Sequence, residues 1–272
     1  MACSESKFKM KRIILRVNAD DFGFDENRTR AILASFRMGA ISQTTAMVNM
    51  PYFTRAVEMV RSDGFLNRMG LHLNLTEGPA MTSAMRKCRF FCDKDGCFTG
   101  AFHRTARYRF FLPHKLQLIV QGEIEAQVER FVSSGSTFLH LDSHHHVHTN
   151  YSIARIALPI VKANGFSSVR LSRNWGGDMS LPKMIYKKAL NHCLKSSIKG
   201  LTDFFTDFRG LKNGLNRLPR DSSFEVMVHP MFGRRASLDL AGELTDGGCL
   251  ISEELAFYKA NVEIFDFHGA AQ

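Results

Sequence analysis

Apolar residues along the chain fall into short runs that alternate with helical patterns, the way βα units around a parallel sheet read. Ile13–Val17 predicts a strand, Asp20–Gly23 a turn, and the segment after it a helix reaching Met38, with Gly39 as its C-terminal stop. Leu116, Ile119, Ile124, Val128 and Phe131 lie at helical spacing within Lys115–Ser134, and Gly135 follows. A third helix is predicted from about Ser152 to Asn164, closed by Gly165. The stretch Glu77–Pro113, with its Asp95-Gly96 turn signal, predicts a long loop or small excursion. Ser172–Arg220 has mixed character from which no element can be placed.

Four segments place polar residues where a strand needs none. In Gly70–Thr76, Leu71, Leu73 and Leu75 share one face while His72, Asn74 and Thr76 share the other. In Leu139–His148, an extended chain puts His140, Asp142, His144, His146 and His148 on one side. In Glu225–Pro230, Val226 and Val228 oppose Glu225 and His229, and Pro230 ends the pairing. Asp20 and Asp21 are neighbours at a strand terminus, where they reach one site only if the chain turns. Strand ends converge at the mouth of an α/β barrel, so Asp21, His72 and His144 are candidate ligands of one divalent ion, with positions left for water and substrate. One carboxylate with two imidazoles suits zinc or iron(II), whereas magnesium usually takes more oxygen.

Composition narrows the setting. A chain of 272 residues, 44% hydrophobic, has material for one sizeable core, and one domain is expected. Met1–Lys11 lacks an apolar secretion core and no later stretch approaches 18 apolar residues, so the expectation is a soluble, cytoplasmic protein with no integral membrane segment. Six cysteines are too sparse for a disulfide framework; Cys88, Cys92 and Cys97 cluster near His103 without paired C-x-x-C knuckles and read as ordinary thiols. The net charge of +10 is spread over the chain with no nucleic-acid module, which reads as a solvated basic surface without a nucleic-acid partner. Arg86–Arg109 is denser: Arg86, Lys87, Arg89, Lys94, Arg104, Arg107 and Arg109 face only Asp93 and Asp95, with Phe90, Phe91, Phe98, Phe102 and Tyr108 interleaved. If this loop borders the barrel mouth, its arginines grip an anionic substrate and its aromatic faces stack on sugar rings; the alternative is a solvated loop with an apolar underside.

Taken together, VNADDFG (17–23), GLHLNLT (70–76), HLDSHHHVH (140–148) and EVMVHP (225–230) resemble, in this order, the YdjC-like family of carbohydrate deacetylases, which includes chito-oligosaccharide deacetylases. The likeness runs from about Lys11 to Phe267. It implies an α/β fold: a distorted (β/α) barrel of about seven strands, of the glycoside hydrolase/deacetylase type, as a single domain over 11–272 behind a tail at 1–10. It further implies a divalent metal, commonly magnesium, an acetylated sugar as substrate, and a homodimer as a common state. The family's ligand positions fall on Asp21, His72 and His144, and the position of its catalytic base on Asp20. The expected reaction is hydrolysis of an N-acetyl group, with His229 the first candidate for the acid that protonates the departing amine and His146 the second. Competing readings are a metal-dependent phosphoesterase or amidohydrolase on a similar barrel, which a metal pair about 4 Å apart favours, and a sugar-binding protein without turnover, which binding that survives chelation favours. Two features depart from the family pattern: Arg16 interrupts the apolar first strand, and the basic stretch Arg86–Arg109 is peculiar to this chain.

Overall fold

The first strand, β1 (Arg12–Phe22), is flanked by partners on both edges, and its alternation shows what the sheet divides. Leu15, Val17 and Ala19 are fully buried on one face, while Arg16, Asn18 and Asp20 lie on the other. Six further strands join it: β2 (Gln43–Ala46), β3 (Met69–Leu73), β4 (His140–Ser143), β5 (Ser168–Val169), β6 (Phe204–Asp207) and β7 (Ser222–Val228). All seven are parallel, in the order β5-β4-β3-β2-β1-β7-β6, and form a half-barrel. The computed structural model describes residues 12–176, 179–198, 202–232, 244–246, 249–250, 253 and 263–265; the tail at 1–10 lies outside them. Opposite β1, Asn174 links the two ends of the sheet. Its N–H donates to the Phe205 carbonyl at 3.3 Å, and its Oδ1 accepts from the Phe205 N–H at 2.9 Å. Four short strands complete the described chain. β8 (Met231–Phe232), β9 (Leu244–Asp246) and β10 (Cys249–Leu250) form a small antiparallel sheet, and β11 (Glu263–Phe265) pairs with the start of β1.

Helices cover the apolar face: α1 (Glu26–Arg37), α2 (Phe53–Ser62), α3 (Ser83–Arg86), α4 (Ala101–Arg104), α5 (His114–Val132), α6 (Tyr151–Ala163), α7 (Leu181–Ser197) and α8 (Phe208–Asn213). The three helices predicted by periodicity are α1, α5 and α6, and the glycines expected to stop them, Gly39, Gly135 and Gly165, all have positive φ. Against them pack Leu15, Val17, Leu71, Leu141, Val169, Phe224 and Val226, all 1% exposed or less. Each such side chain stabilises the fold by about 1.5–3 kcal/mol. Among the described residues no helix is long and apolar enough to cross a membrane.

The inner face is polar instead. Register aligns Arg16 with Glu225, Asn18 with Gln43, Thr45 with Gly70, His72 with Asp142, and His140 with Ser168. Arg16, the departure from the apolar pattern, is therefore an inner-face residue. Gly70 is needed at its place because a Cβ there would lie 3.0 Å from the His140 carbonyl oxygen and 3.2 Å from its Cβ.

Candidate active site and metal centre

The extended reading of His140–His148 needs correction. β4 stops at Ser143, and residues 144–149 form a tight turn in which His145 (φ 51°) and His146 (φ 54°) take left-handed conformations. Ser143 holds the turn: its Oγ accepts from the His148 backbone N–H at 3.0 Å and pairs with His148 Nδ1 at 2.5 Å. His148 Nε2–H donates to the Arg170 carbonyl at 3.1 Å, and burial lowers its pKa to about 4, so it is a neutral structural ring. His140 is also structural, lowered to about 3 by burial, stacked on Phe138 and bonded to Ser168 Oγ. The run of five site-facing residues thus resolves into two packing histidines, His140 and His148, a buried Asp142 behind His72, a largely buried His146, and His144 alone at the mouth. The alternation read through Gly70–Thr76 likewise ends at Leu73. Beyond it, Asn74 accepts from the N–H groups of Thr76 and Glu77 and so shapes the loop.

The turn expected at Asp20–Asp21 is present. Asp21 has φ 67°, and the pairing of β1 with β2 slips between Ala19 and Phe22, so adjacent carboxylates both reach the mouth. Asp21 Oδ1 lies 3.3 Å from His72 Nε2 and 2.9 Å from His144 Nδ1, and one donor atom from each of the three lies within 4.8 Å of the others. This is the spacing of ligands around one ion, since metal–nitrogen and metal–oxygen bonds of about 2 Å bring donors to about 3 Å of each other. On its far side, His72 Nδ1–H donates to Asp142 Oδ1 at 2.7 Å, and Thr45 Oγ1 donates to Asp142 Oδ2 at 2.8 Å. That arrangement fixes the ring and leaves Nε2 directed at Asp21, as a ligating histidine requires. Burial opposes charge on His72, but Asp142 more than offsets it and raises the pKa to about 10. Hydrogen bonds and charge from His144 and His72 hold Asp21 well below the usual carboxylate range despite its burial.

Beneath Asp21, His72 and His144, Arg170 is fully buried. Its Nη1 and Nη2 grip Asp20 in a fork at 2.7 Å each, Nη2 also reaches Asp142 Oδ2 at 2.7 Å, and Nε donates to Glu225 Oε1 at 2.6 Å. Asn18 Nδ2 donates to Asp20 Oδ1 at 2.7 Å. Both acceptor positions of Oδ1 are then used and one remains on Oδ2. His229 stands one residue beyond the last rung between β1 and β7, Ala19–Val228, and so level with Asp20; its side chain is 43% exposed and its Nδ1 lies 3.9 Å from Asp246 Oδ1. His146 sits deeper, edge-on to Phe205 at 5.6 Å, with its Nδ1 unpartnered and its pKa pushed well down by burial.

Arg170, Glu77 and Asp246 were not singled out by the sequence, and Asp142 was placed on the site face without a role. Glu77 opens the excursion that follows β3, and its Oε2 is 3.0 Å from His144 Nε2. The excursion does border the mouth, through His103 stacked on His145 at 5.9 Å. Its basic side chains are exposed, but the aromatic reading is corrected in part: Phe91, Phe98 and Phe102 are at most 6% exposed and build an apolar underside with Phe90 and Tyr108 instead of facing a sugar. Cys88, Cys92 and Cys97 are free thiols, and among the described residues no cysteine joins a metal-ligating group.

Glu225 allows a test of this buried network. Burial raises its carboxyl to about 7 from an ordinary 4.5, against the pull of Arg170. A raised folded value means that its contribution to stability is full below about pH 4.5 and is lost as the pH rises through 7. Relative to Glu225→Gln, which cannot ionise, wild-type stability is expected to fall by about 3 kcal/mol from pH 4.5 to 8, read from urea midpoints. Parallel pH profiles would contradict the assignment.

The family profile described as YdjC-like protein matches residues 14–257. A carbohydrate deacetylase of Vibrio cholerae serotype O1 is 36% identical over 145 residues, 53% of this chain and 54% of that protein, so the chain matches about half the length of that relative. A carbohydrate deacetylase of Vibrio vulnificus is 28% identical over 270 residues, 92% of this chain and 93% of its own. Among solved structures, a candidate cellobiose-phosphate cleavage protein of Enterococcus faecalis superposes with a TM-score of 0.66 at 23% identity, covering 95% of this chain and 98% of that one, a likeness of fold. With the family profile spanning nearly the whole half-barrel and all four motifs at its mouth, this chain belongs to the YdjC-like protein family.

Proposed function

We propose that the protein is a metal-dependent carbohydrate deacetylase that hydrolyses the N-acetyl group of an acetylated sugar or oligosaccharide. The observation that carries this reading is the convergence of His72 Nε2 and His144 Nδ1 on one Asp21 oxygen at the mouth, beside the Arg170-held carboxylate of Asp20. The names of the Vibrio relatives support the activity. Two imidazoles and one carboxylate suit zinc or iron(II); the family resemblance points to magnesium, to which this set offers one oxygen. When bound, the ion supplies Lewis-acid polarisation of the acetamide carbonyl and acidifies the attacking water.

Asp20 takes the proton of that water through the acceptor position left on Oδ2, with Arg170 fixing the carboxylate plane. His229 protonates the leaving amine: it is level with Asp20, reaches solvent, and its Nδ1 lies 3.9 Å from Asp246 Oδ1. His146 is the second candidate, disfavoured by burial, which opposes its protonation. Acetate release from a panel of N-acetylated oligosaccharides, abolished by chelator and restored by added metal, tests the function. Release untouched by chelation overturns it. Asp20→Asn is expected to keep the metal and lose about 10²–10⁴-fold in kcat; full turnover would move the base elsewhere.

The exposed basic side chains of the excursion extend the reading to an anionic acetylated sugar. For such a substrate kcat/KM is expected to fall as salt rises through the range where the Debye length drops to about 8 Å and below. A salt-independent kcat/KM, unaltered by charge reversal at Arg104 and Arg107, counts against it.

A further inference from the structure

The ring of His144 stands between two carboxylates. Its Nδ1 faces Asp21 Oδ1 at 2.9 Å on the inner side, and its Nε2 faces Glu77 Oε2 at 3.0 Å on the solvent side. Carboxylates only accept, so the two contacts are satisfied either by N–H groups on both ring nitrogens or by a cation standing in one of them. The inner side has His72 to complete a site. The outer side has a third donor as well, His145, whose ring centroid is 4.1 Å from that of His144. One donor atom each from Glu77, His144 and His145 lies within 4.8 Å of the others.

The placement of His145 is built. Its backbone is left-handed, a conformation that costs a non-glycine residue about 1–2 kcal/mol. Its ring is backed by His103, nearly parallel at 5.9 Å and 15°. Thr76 directs its hydroxyl hydrogen to Asn74 Oδ1, so the Thr76 oxygen accepts from His145 Nδ1 at 3.0 Å. This leaves the His145 ring one lone pair to offer.

We propose that Glu77, His144 and His145 form a second, outer site for a borderline transition ion of the zinc class, at the rim of the mouth. Two imidazoles and a half-exposed carboxylate are the ligand set of zinc, not of magnesium or calcium. Because the outer site takes its ligand from the same ring as the inner centre, the two ions compete for His144, each weakening the hold of the other without excluding it; this consequence rests on the inner assignment of Asp21, His72 and His144. Excess zinc is therefore an inhibitor that acts by withdrawing His144 from the inner ion.

Zinc binding by calorimetry on the full chain, with zinc content after dialysis, tests both sites. Wild type is expected to hold one equivalent through dialysis and to bind a second, weaker one only in titration. His145→Gln keeps the first and weakens the second by at least about tenfold, and raises the zinc concentration needed for inhibition by a similar factor. His72→Gln, or Asp21→Asn if that variant does not fold, loses the first and keeps the second. A single equivalent in wild type up to millimolar zinc, or a second equivalent unchanged in His145→Gln, overturns the outer site. A tight equivalent retained by His72→Gln overturns the inner assignment and the competition with it, and the His145→Gln titration then decides the outer site alone.

Discussion

His72→Ala is expected to lose the tightly held divalent ion and to lower acetate release by about 10²–10³-fold or more, the scale on which loss of an oxyanion-stabilising group acts. With His72 gone, Asp21 and His144 alone remain on the inner side, and two ligands hold an ion poorly against water. The variant also opens a void beside Asp142, whose carboxylate keeps Thr45 and Arg170 as partners. Some loss of stability therefore accompanies the loss of metal. His144→Ala separates the two effects. That side chain is 11% exposed and pairs with Asp21 and Glu77 at the mouth, not with Arg170, so its removal is expected to strip the metal with little change in melting temperature. Elemental analysis after dialysis and thermal melts of both variants check this; one ion per chain retained in either would refute the ligand set.

The sequence made the proposed ligands legible because each sits where an alternating pattern is broken by chemistry. His72 faces away from Leu71 and Leu73, and Asp21 follows an apolar strand at a turn. It misled where the backbone departs from regular geometry. Nothing in HHH announces that residues 145 and 146 turn left-handed, so the alternation was carried too far, past Ser143. The excursion after β3 looked aromatic and basic at once, and only folding shows that its phenylalanines turn inward while its arginines do not. α7 was missed for a different reason: only Leu190, Asn191 and Leu194 are buried along its 17 residues, too narrow a stripe to give a helical period. Arg170 was invisible because its partners lie at positions 20, 142 and 225. In sequence it is one arginine between Val169 and Leu171, and only the curvature of the half-barrel brings three carboxylates around it.

Arg170→Met is accordingly expected to be the most destabilising single change at this site, by about 3–5 kcal/mol at neutral pH. The loss comes from the carboxylates left behind more than from the arginine removed. Asp20, Asp142 and Glu225 are each at most 2% exposed, and four of the five guanidinium N–H donors are engaged by them. Methionine fills much of the volume and can keep contact with Phe205, over whose ring the guanidinium carbon stands at 4.7 Å, so packing is roughly conserved and the charge effect isolated. Catalysis suffers separately. Without the fork, Asp20 keeps Asn18 alone and loses its orientation, so the folded fraction is expected to bind metal through Asp21, His72 and His144 yet turn over slowly. Adding Asp142→Asn to Arg170→Met removes a stranded charge, burial keeping Glu225 neutral once Arg170 no longer opposes it, and is expected to recover part of the stability but none of the activity, a non-additivity that contacting charged groups show and distant ones do not. Urea unfolding of the single and double variants at pH 7, beside metal content and acetate release, checks each step. An Arg170→Met protein within about 1 kcal/mol of wild type would mean that the buried carboxylates are already neutral, against the lowered pKa that Arg170 imposes on Asp142.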